Sequence, residues 1–185
     1  MDRRTACGLL LALLALAVKP ARAAVETRID VFRNGEIYVV EAVLVVPVSP
    51  HEAWDVLTDF DAMARFVPNL ESSRITGRSG DRLQVEQRGV ARWGPLSQSF
   101  TMIREIELQP IDEVRSKSTG GSLRQVSSVT RFAATAGGTE VRHHVEFSMD
   151  SWMPAFLAQP FLQHEVREQF DAVVGEMLRR RADRR

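Results

Sequence analysis

Two polar side chains in this sequence stand where a polar group needs a reason. Arg104 lies in the run SQSFTMIREIEL, at alternate positions with Phe100, Met102, Ile106 and Leu108. His143 lies in TEVRHHVEFSM, at alternate positions with Val141, Val145, Phe147 and Met149. Successive side chains of a strand point to opposite faces, so each residue shares the apolar face of its strand. A guanidinium there is costly unless paired or solvated. In a cavity, Arg104 would grip a carboxylate, phosphate or carbonyl of a ligand. Paired with an Asp or Glu, or turned outward by a bulge, it would be structural, and the alternation alone leaves these readings open. His143 in a cleft would orient a polar ligand head or act as an acid or base. As a core histidine bonded to a neighbour it would do neither.

Other chemistry is thinly represented. No Gly-x-Ser-x-Gly elbow, phosphate loop or metal-ligand spacing occurs. Of the four histidines, His143 and His144 are adjacent on a strand and face opposite ways, so they cannot chelate one ion, and His144 is expected in solvent. No catalytic residue, cofactor or metal is assigned. Arg3 and Arg4, the apolar run from Gly8 to Val18 and the Ala21-Arg22-Ala23 pattern read as a secretory signal peptide over residues 1–23. The run is too short to span a bilayer comfortably, which takes ~20 residues. The expected mature domain is residues 24–185, periplasmic or secreted. Cys7, the single cysteine, leaves with the leader, so neither a disulfide nor a thiol nucleophile is available.

The whole chain balances 24 basic against 24 acidic residues. The leader removes Asp2 against Arg3, Arg4, Lys19 and Arg22, so the remainder is acidic by three. With no basic stripe, nucleic acid is excluded as a partner. Five arginines close the chain: Arg179, Arg180, Arg181, Arg184 and Arg185. They would suit a transient contact with anionic lipid head groups, but complementing a helix C-terminus already accounts for them.

The elements that must position these residues follow from periodicity. Asn34-Gly35 between two β-branched runs predicts a hairpin with a type I′ turn. Ser49-Pro50-His51-Glu52 is a capping box with proline at the first helical position. A short helix follows. It breaks at Thr58-Asp59, where Asp59 is placed to cap a second one carrying Phe60, Met63 and Phe66. Pro68 ends the pair. Six strands follow between Leu70 and Met149, separated by Ser79-Gly80-Asp81, Trp93-Gly94-Pro95, Gln109-Pro110 and Gly137-Gly138. The end is one long helix with Leu162, Val166, Phe170, Val173 and Met177 on one side, begun or kinked by Pro154 and Pro160. An antiparallel sheet with one wet face must cover the other, and the long helix is the available cover.

The stretches AWDVLTDFDAMARFVPNLESSRI, QRGVARWGPLSQSFTMIREI and GGTEVRHHVEFSM, with the final helix, resemble the START-like or SRPBCC superfamily. Within it they resemble the polyketide cyclase/dehydrase and coenzyme Q-binding branch. The resemblance covers the chain from Glu36 onward and lies chiefly in the helix, Thr-Asp-aromatic, short helix, Val-Pro, strand passage. It implies an α+β helix-grip fold: a curved antiparallel sheet around the C-terminal helix, a hydrophobic cavity between them, and the two short helices as a lid. It also implies a hydrophobic or amphipathic small-molecule ligand, such as a lipid, quinone or polyketide, that is carried or shielded. The alternatives are a polyketide cyclase or dehydratase in which His143 or Arg104 polarises a carbonyl, and an interaction module with a filled cavity. Candidate wall residues are Phe66, Trp93, Phe100, Met102, Phe147 and Phe170, beside Arg104 and His143. Amino-terminal sequencing of the exported protein is expected to begin at Ala24 or next to it. Recovery of the full-length chain from the cytosol would overturn the localisation.

Overall fold

The computed structural model of the chain describes residues 25–149 and 155–184. The expected leader, Pro154 and the Arg185 terminus lie outside the described residues. Eight antiparallel strands form one curved open sheet: β1 (Glu26–Asn34), β2 (Ile37–Val46), β3 (Leu70–Ser79), β4 (Arg82–Trp93), β5 (Leu96–Gln109), β6 (Glu113–Gly121), β7 (Leu123–Thr135) and β8 (Gly138–Met149). Their order is β1-β2-β8-β7-β6-β5-β4-β3. Helix α1 (Pro50–Leu57) and a short 3-10 helix (Phe60–Arg65) interrupt the strands, and α2 (Ala155–Asp183) closes the fold with Pro160 inside it. This is the helix-grip arrangement that the resemblance implies.

Local chemistry explains the joints. Ser49 Oγ accepts from the Glu52 N–H at 3.2 Å, and the Ser49 N–H donates to the Glu52 carboxylate at 2.8 Å. This is a complete capping box. The Thr58 hydroxyl donates back to the Trp54 carbonyl at 2.9 Å and ends α1. Asp59 makes no capping bond to the 3-10 helix; its carboxylate accepts from Arg180 of α2 at 2.7 Å instead. A guanidinium donor brings a full opposite charge to the Asp59 carboxylate, where a backbone N–H brings only a dipole. The hairpin turns also differ from expectation. The β1–β2 loop is Gly35-Glu36, and only Gly35 has positive φ, at 62°. A glycine at the first of two loop positions is the type II′ pattern rather than I′. Gly80-Asp81 and Gly94-Pro95 repeat it, the latter a two-residue hairpin turn that sequence left as a longer loop.

The core is divided. One buried cluster joins α1 and the second half of α2 to the sheet through Val56, Phe60, Leu83, Val85, Val173 and Met177. Another joins the first half of α2 to β1, β2 and β8 through Ile29, Val40, Phe147, Phe161 and Leu162. Polar ties fix the helix. Gln159 and Gln163 donate to the Val31 and Ile29 carbonyls of edge strand β1, each at 2.7 Å. Arg180 pairs with Asp59 and lies 5.9 Å from the centre of the Phe66 ring, while Arg184 reaches Asp55 at 3.1 Å. The C-terminal arginines are therefore not simply a solvated tail. At least two of them clamp α1 and the 3-10 helix.

Hydrogen bonds from Arg179, and then from Arg180, hold the Glu176 carboxyl down at about 2, from an ordinary 4.5. The folded value lies below the unfolded one. The contribution is thus fully present above pH 4.5 and is lost as pH falls toward about 2. Denaturant unfolding at stepped pH is expected to show wild-type stability declining across this window and Glu176→Gln flattening the decline. Parallel declines would assign the acid sensitivity to another group.

Candidate functional site

Between the two clusters α2 and the sheet touch through Phe170 and His143 but leave space on either side. Two chambers of about 180 Å³ and about 200 Å³ lie there. The first is roofed by α1, the 3-10 helix and the turn after it, through Leu57, Phe60, Met63, Val67 and Leu70. The second lies under the first half of α2, walled by Val40, Val126, Phe147, Phe161, Leu162 and Val166. Both chambers touch Phe100, Met102, Arg104, Ser128, His143 and Gln169, which form the waist between them. Binding sites for drug-sized molecules usually span ~300–1,000 Å³. Either chamber alone falls short of that, and only a ligand occupying both would approach it.

The waist is polar. A Ser73–Gln87–Arg104–Ser116–Ser128 chain of hydrogen bonds crosses β3, β4, β5, β6 and β7 on the concave face. Gln87 donates to Ser73 Oγ at 3.0 Å and accepts from Arg104. Arg104 Nη1 reaches Ser116 Oγ in a long 3.5 Å contact, and Ser128 donates to Ser116 at 3.2 Å. The strand register puts these side chains side by side. Ser73 faces Gln87, Ser116 faces Ser128, and Thr130 faces His143. The β5–β6 register shift falls beside Arg104 without turning it outward.

Arg104 has no carboxylate partner among the described residues, and its Nε is buried without any hydrogen bond. Burial alone pulls its pKa to about 10, so it remains a cation at neutral pH. His143 is driven down to about 4, first by burial and then by the charges of Arg104 and His144. It is a neutral imidazole at pH 7. One ring nitrogen bonds Thr130 Oγ1 at 2.8 Å, and the ring meets Phe170 edge-on at 5.4 Å. The remaining nitrogen, Nε2, has no hydrogen bond to the protein among the described residues. Both residues are half-buried, and both line the cavity. His144, expected in solvent, is on the outer face with its side chain partly exposed, and pairs there with Glu41 at 2.7 Å and Glu146 at 3.2 Å.

The second chamber holds one acid. Glu165 of α2 accepts from Asn69 Nδ2 at 3.0 Å and from the Arg92 N–H at 2.7 Å. Burial raises its pKa against those bonds. This locks α2 to β4 and to the turn that follows the 3-10 helix. That turn lies so close to β4 that only glycine fits at 89. A Cβ there would stand 2.0 Å from the Asn69 carbonyl oxygen, which accepts instead from the Val90 N–H. His164, Glu165 and Glu168 bring ligand atoms within 4.8 Å of one another, but both Glu165 oxygens are already engaged, so the trio makes a poor metal site.

Of the residues singled out from sequence, Arg104, His143, Phe100 and Met102 meet at the waist, Phe147 walls the second chamber and Phe170 the first. Phe66 and Trp93 line neither. Phe66 ends the 3-10 helix under Arg180, and Trp93 lies 6.2 Å from the His164 ring. Sequence reasoning passed over Gln87, Ser116, Ser128, Thr130, Asn69 and Glu165. Gln87 carried a signal, a polar residue alternating with Leu83, Val85 and Gly89. The serines carried none, since small polar residues are common on strands.

Residues 46–174 match the family model described as polyketide cyclase/dehydrase and lipid transport. Among solved structures, the chain is similar to the Zhui aromatase/cyclase from Streptomyces sp. R1128, at TM-score 0.66 and 17% identity, covering 78% of this chain and 95% of that one. It is similar to a START superfamily protein from Mycobacterium smegmatis, at TM-score 0.65 and 13% identity over 76% and 97% of the two chains. A STAR-related lipid transfer protein from Xanthomonas axonopodis gives 0.63 and 12% over 80% and 98%. At these identities the likeness establishes the fold.

An arginine freed of ion-pair duty can be removed without stranding an acid. Arg104→Met is expected to leave thermal stability within about 1 kcal/mol of wild type or to raise it, as replacing buried charge by apolar groups often does. A loss of ~3–5 kcal/mol, the cost of breaking a buried pair, would reveal a carboxylate partner.

Proposed function

The chain belongs to the polyketide cyclase/dehydrase and lipid transport family, and from that premise we propose that it binds a hydrophobic or amphipathic small molecule in its two-chambered cavity and carries or shields it. The observation that carries this reading is the cavity itself. It is walled mainly by apolar side chains and holds at its waist a cation without an acid partner. A ligand's carbonyl or acidic oxygen there would supply the acceptor that Arg104 lacks. Lipid, quinone and polyketide-like molecules all offer such an oxygen. The α1 and 3-10 helix pair acts as the lid of the first chamber. Ligand entry would require the Arg180–Asp59 and Arg184–Asp55 pairs that hold these helices to α2 to release. The pattern in residues 1–23 favours a periplasmic or secreted protein, where a carrier for poorly soluble molecules has a clear use.

The cyclase or dehydratase reading has support in the Arg104–His143 pairing, which would polarise a carbonyl beside an unprotonated imidazole. It ranks second on chemical grounds. A general base works best with a pKa near the working pH, and His143 is held at about 4. The one acid nearby, Glu165, has both oxygens engaged. An interaction module with a filled interior is disfavoured by the open chambers.

Native mass spectrometry of the purified protein, with organic extraction, is expected to recover a bound apolar molecule. Hydrogen exchange at residues 60–70 is expected to be faster than in β8 and to slow when an apolar ligand is added. No extractable ligand, no binding of apolar probes and no change in exchange would overturn the reading.

A further inference from the structure

The division of the cavity says where the polar group of its ligand must be. An amphiphile with a terminal head and one tail suits a site with a polar end and an apolar end. This cavity is polar in the middle. Arg104 and His143 border both chambers, and so do Ser128 and Gln169. On one side lie Leu57, Phe60, Val67 and Val173; on the other lie Val40, Val126, Phe161 and Leu162. The hydrogen-bonded line from Ser73 to Ser128 gives Gln87 and Ser116 to the first chamber and Arg104 and Ser128 to both, so its charged member stands where the chambers meet. Its members satisfy one another, except at Arg104, whose Nε has no partner.

We infer that the ligand class is an apolar molecule whose hydrogen-bond acceptor is internal, a ketone, ester or similar oxygen flanked by two hydrocarbon arms, with the oxygen at Arg104 and one arm in each chamber. This rests on the proposed binding function and adds the position of the polar group to it. A molecule with its acceptor at one end would fill one chamber and leave the other without apolar contacts. If it lay through both chambers, its hydrocarbon would cover Arg104 and its acceptor would sit among the aliphatic groups of the first chamber or beside Asn69, Gln98 and Glu165 in the second, which already bond within the protein. Each alternative forfeits either buried apolar area or the bond to a charged donor.

Two isomers test this directly. Dipentyl ketone and methyl nonyl ketone have the same formula and nearly the same hydrophobicity, and differ in where the carbonyl stands. Undecane serves as the control without an acceptor. Titration calorimetry with the full domain is expected to give dipentyl ketone at least about tenfold tighter binding than methyl nonyl ketone, the effect of one hydrogen bond to a charged group. In Arg104→Met the two isomers are expected to bind alike, and both close to undecane. Filling the second chamber with Val126→Phe is expected to weaken dipentyl ketone more than methyl nonyl ketone, which keeps the test independent of the Arg104 variant. If wild type binds all three probes but does not prefer dipentyl ketone, this inference falls while the binding function stands. If no probe binds, both fall together.

Discussion

A guanidinium enclosed with no carboxylate to neutralise it among the described residues is the constraint on which the rest of this site depends. Removing a charge from water costs several kcal/mol even after relaxation, and Arg104 recovers only part of that through Gln87 and a long contact to Ser116. The missing part dictates its surroundings. Gln87, Ser116 and Ser128 must be polar and must be adjacent across the strands. Such a row cannot lie against α2 as apolar residues would, because each hydroxyl and amide needs its own partner. The apolar contacts therefore collect on either side of it. The two core clusters and the two chambers flank this one buried charge. The lowered His143 follows first from its own burial and then from the Arg104 charge beside it.

The supports around this charge are also polar, and they hold α2 away from the sheet. Gln159 and Gln163 fasten its first turns to β1. Glu165 fastens the next turn to β4 and Asn69. Arg180 and Arg184 fasten its end to the 3-10 helix and α1. Hydrophobic contact has no preferred distance beyond close packing, whereas a hydrogen bond fixes one. A helix held at both ends by such bonds bridges a gap in its middle.

How much of this could be read from sequence follows from the range of each interaction. Strand alternation is local and strict, so it placed Arg104, His143, Phe100, Met102 and Phe147 on the face that lines the cavity. An antiparallel sheet covered by α2 was legible for the same reason, from strand spacing and the apolar side of α2, while the helix-grip arrangement came from the family resemblance. Interactions between distant segments were not. Asp59 looks like a helix cap to its neighbours, yet its partner Arg180 is 121 residues away. Glu165 reads as one more charge on an exposed helix face, because nothing near it reveals Asn69. Phe66 and Trp93 were chosen by size, and size says a residue is buried without saying where.

The persistence of the cavity follows from these same ties. Protein interiors pack closely, and an empty apolar space of this size ordinarily invites collapse. Collapse here would need α2 to move toward the sheet at Gln169 and Phe170. That motion strains the Glu165 bonds on one side and the Arg180 and Arg184 clamps on the other. It would also press aliphatic groups onto Arg104, removing what solvation the cavity gives its charge. The cost rises from both causes at once, whereas an incoming molecule with an acceptor lowers it from both. It fills the space and completes the hydrogen bonding of the guanidinium. The ties that hold α2 over this cavity are thus compatible with a ligand whose polar group is internal, since such a molecule reaches Arg104 without displacing them.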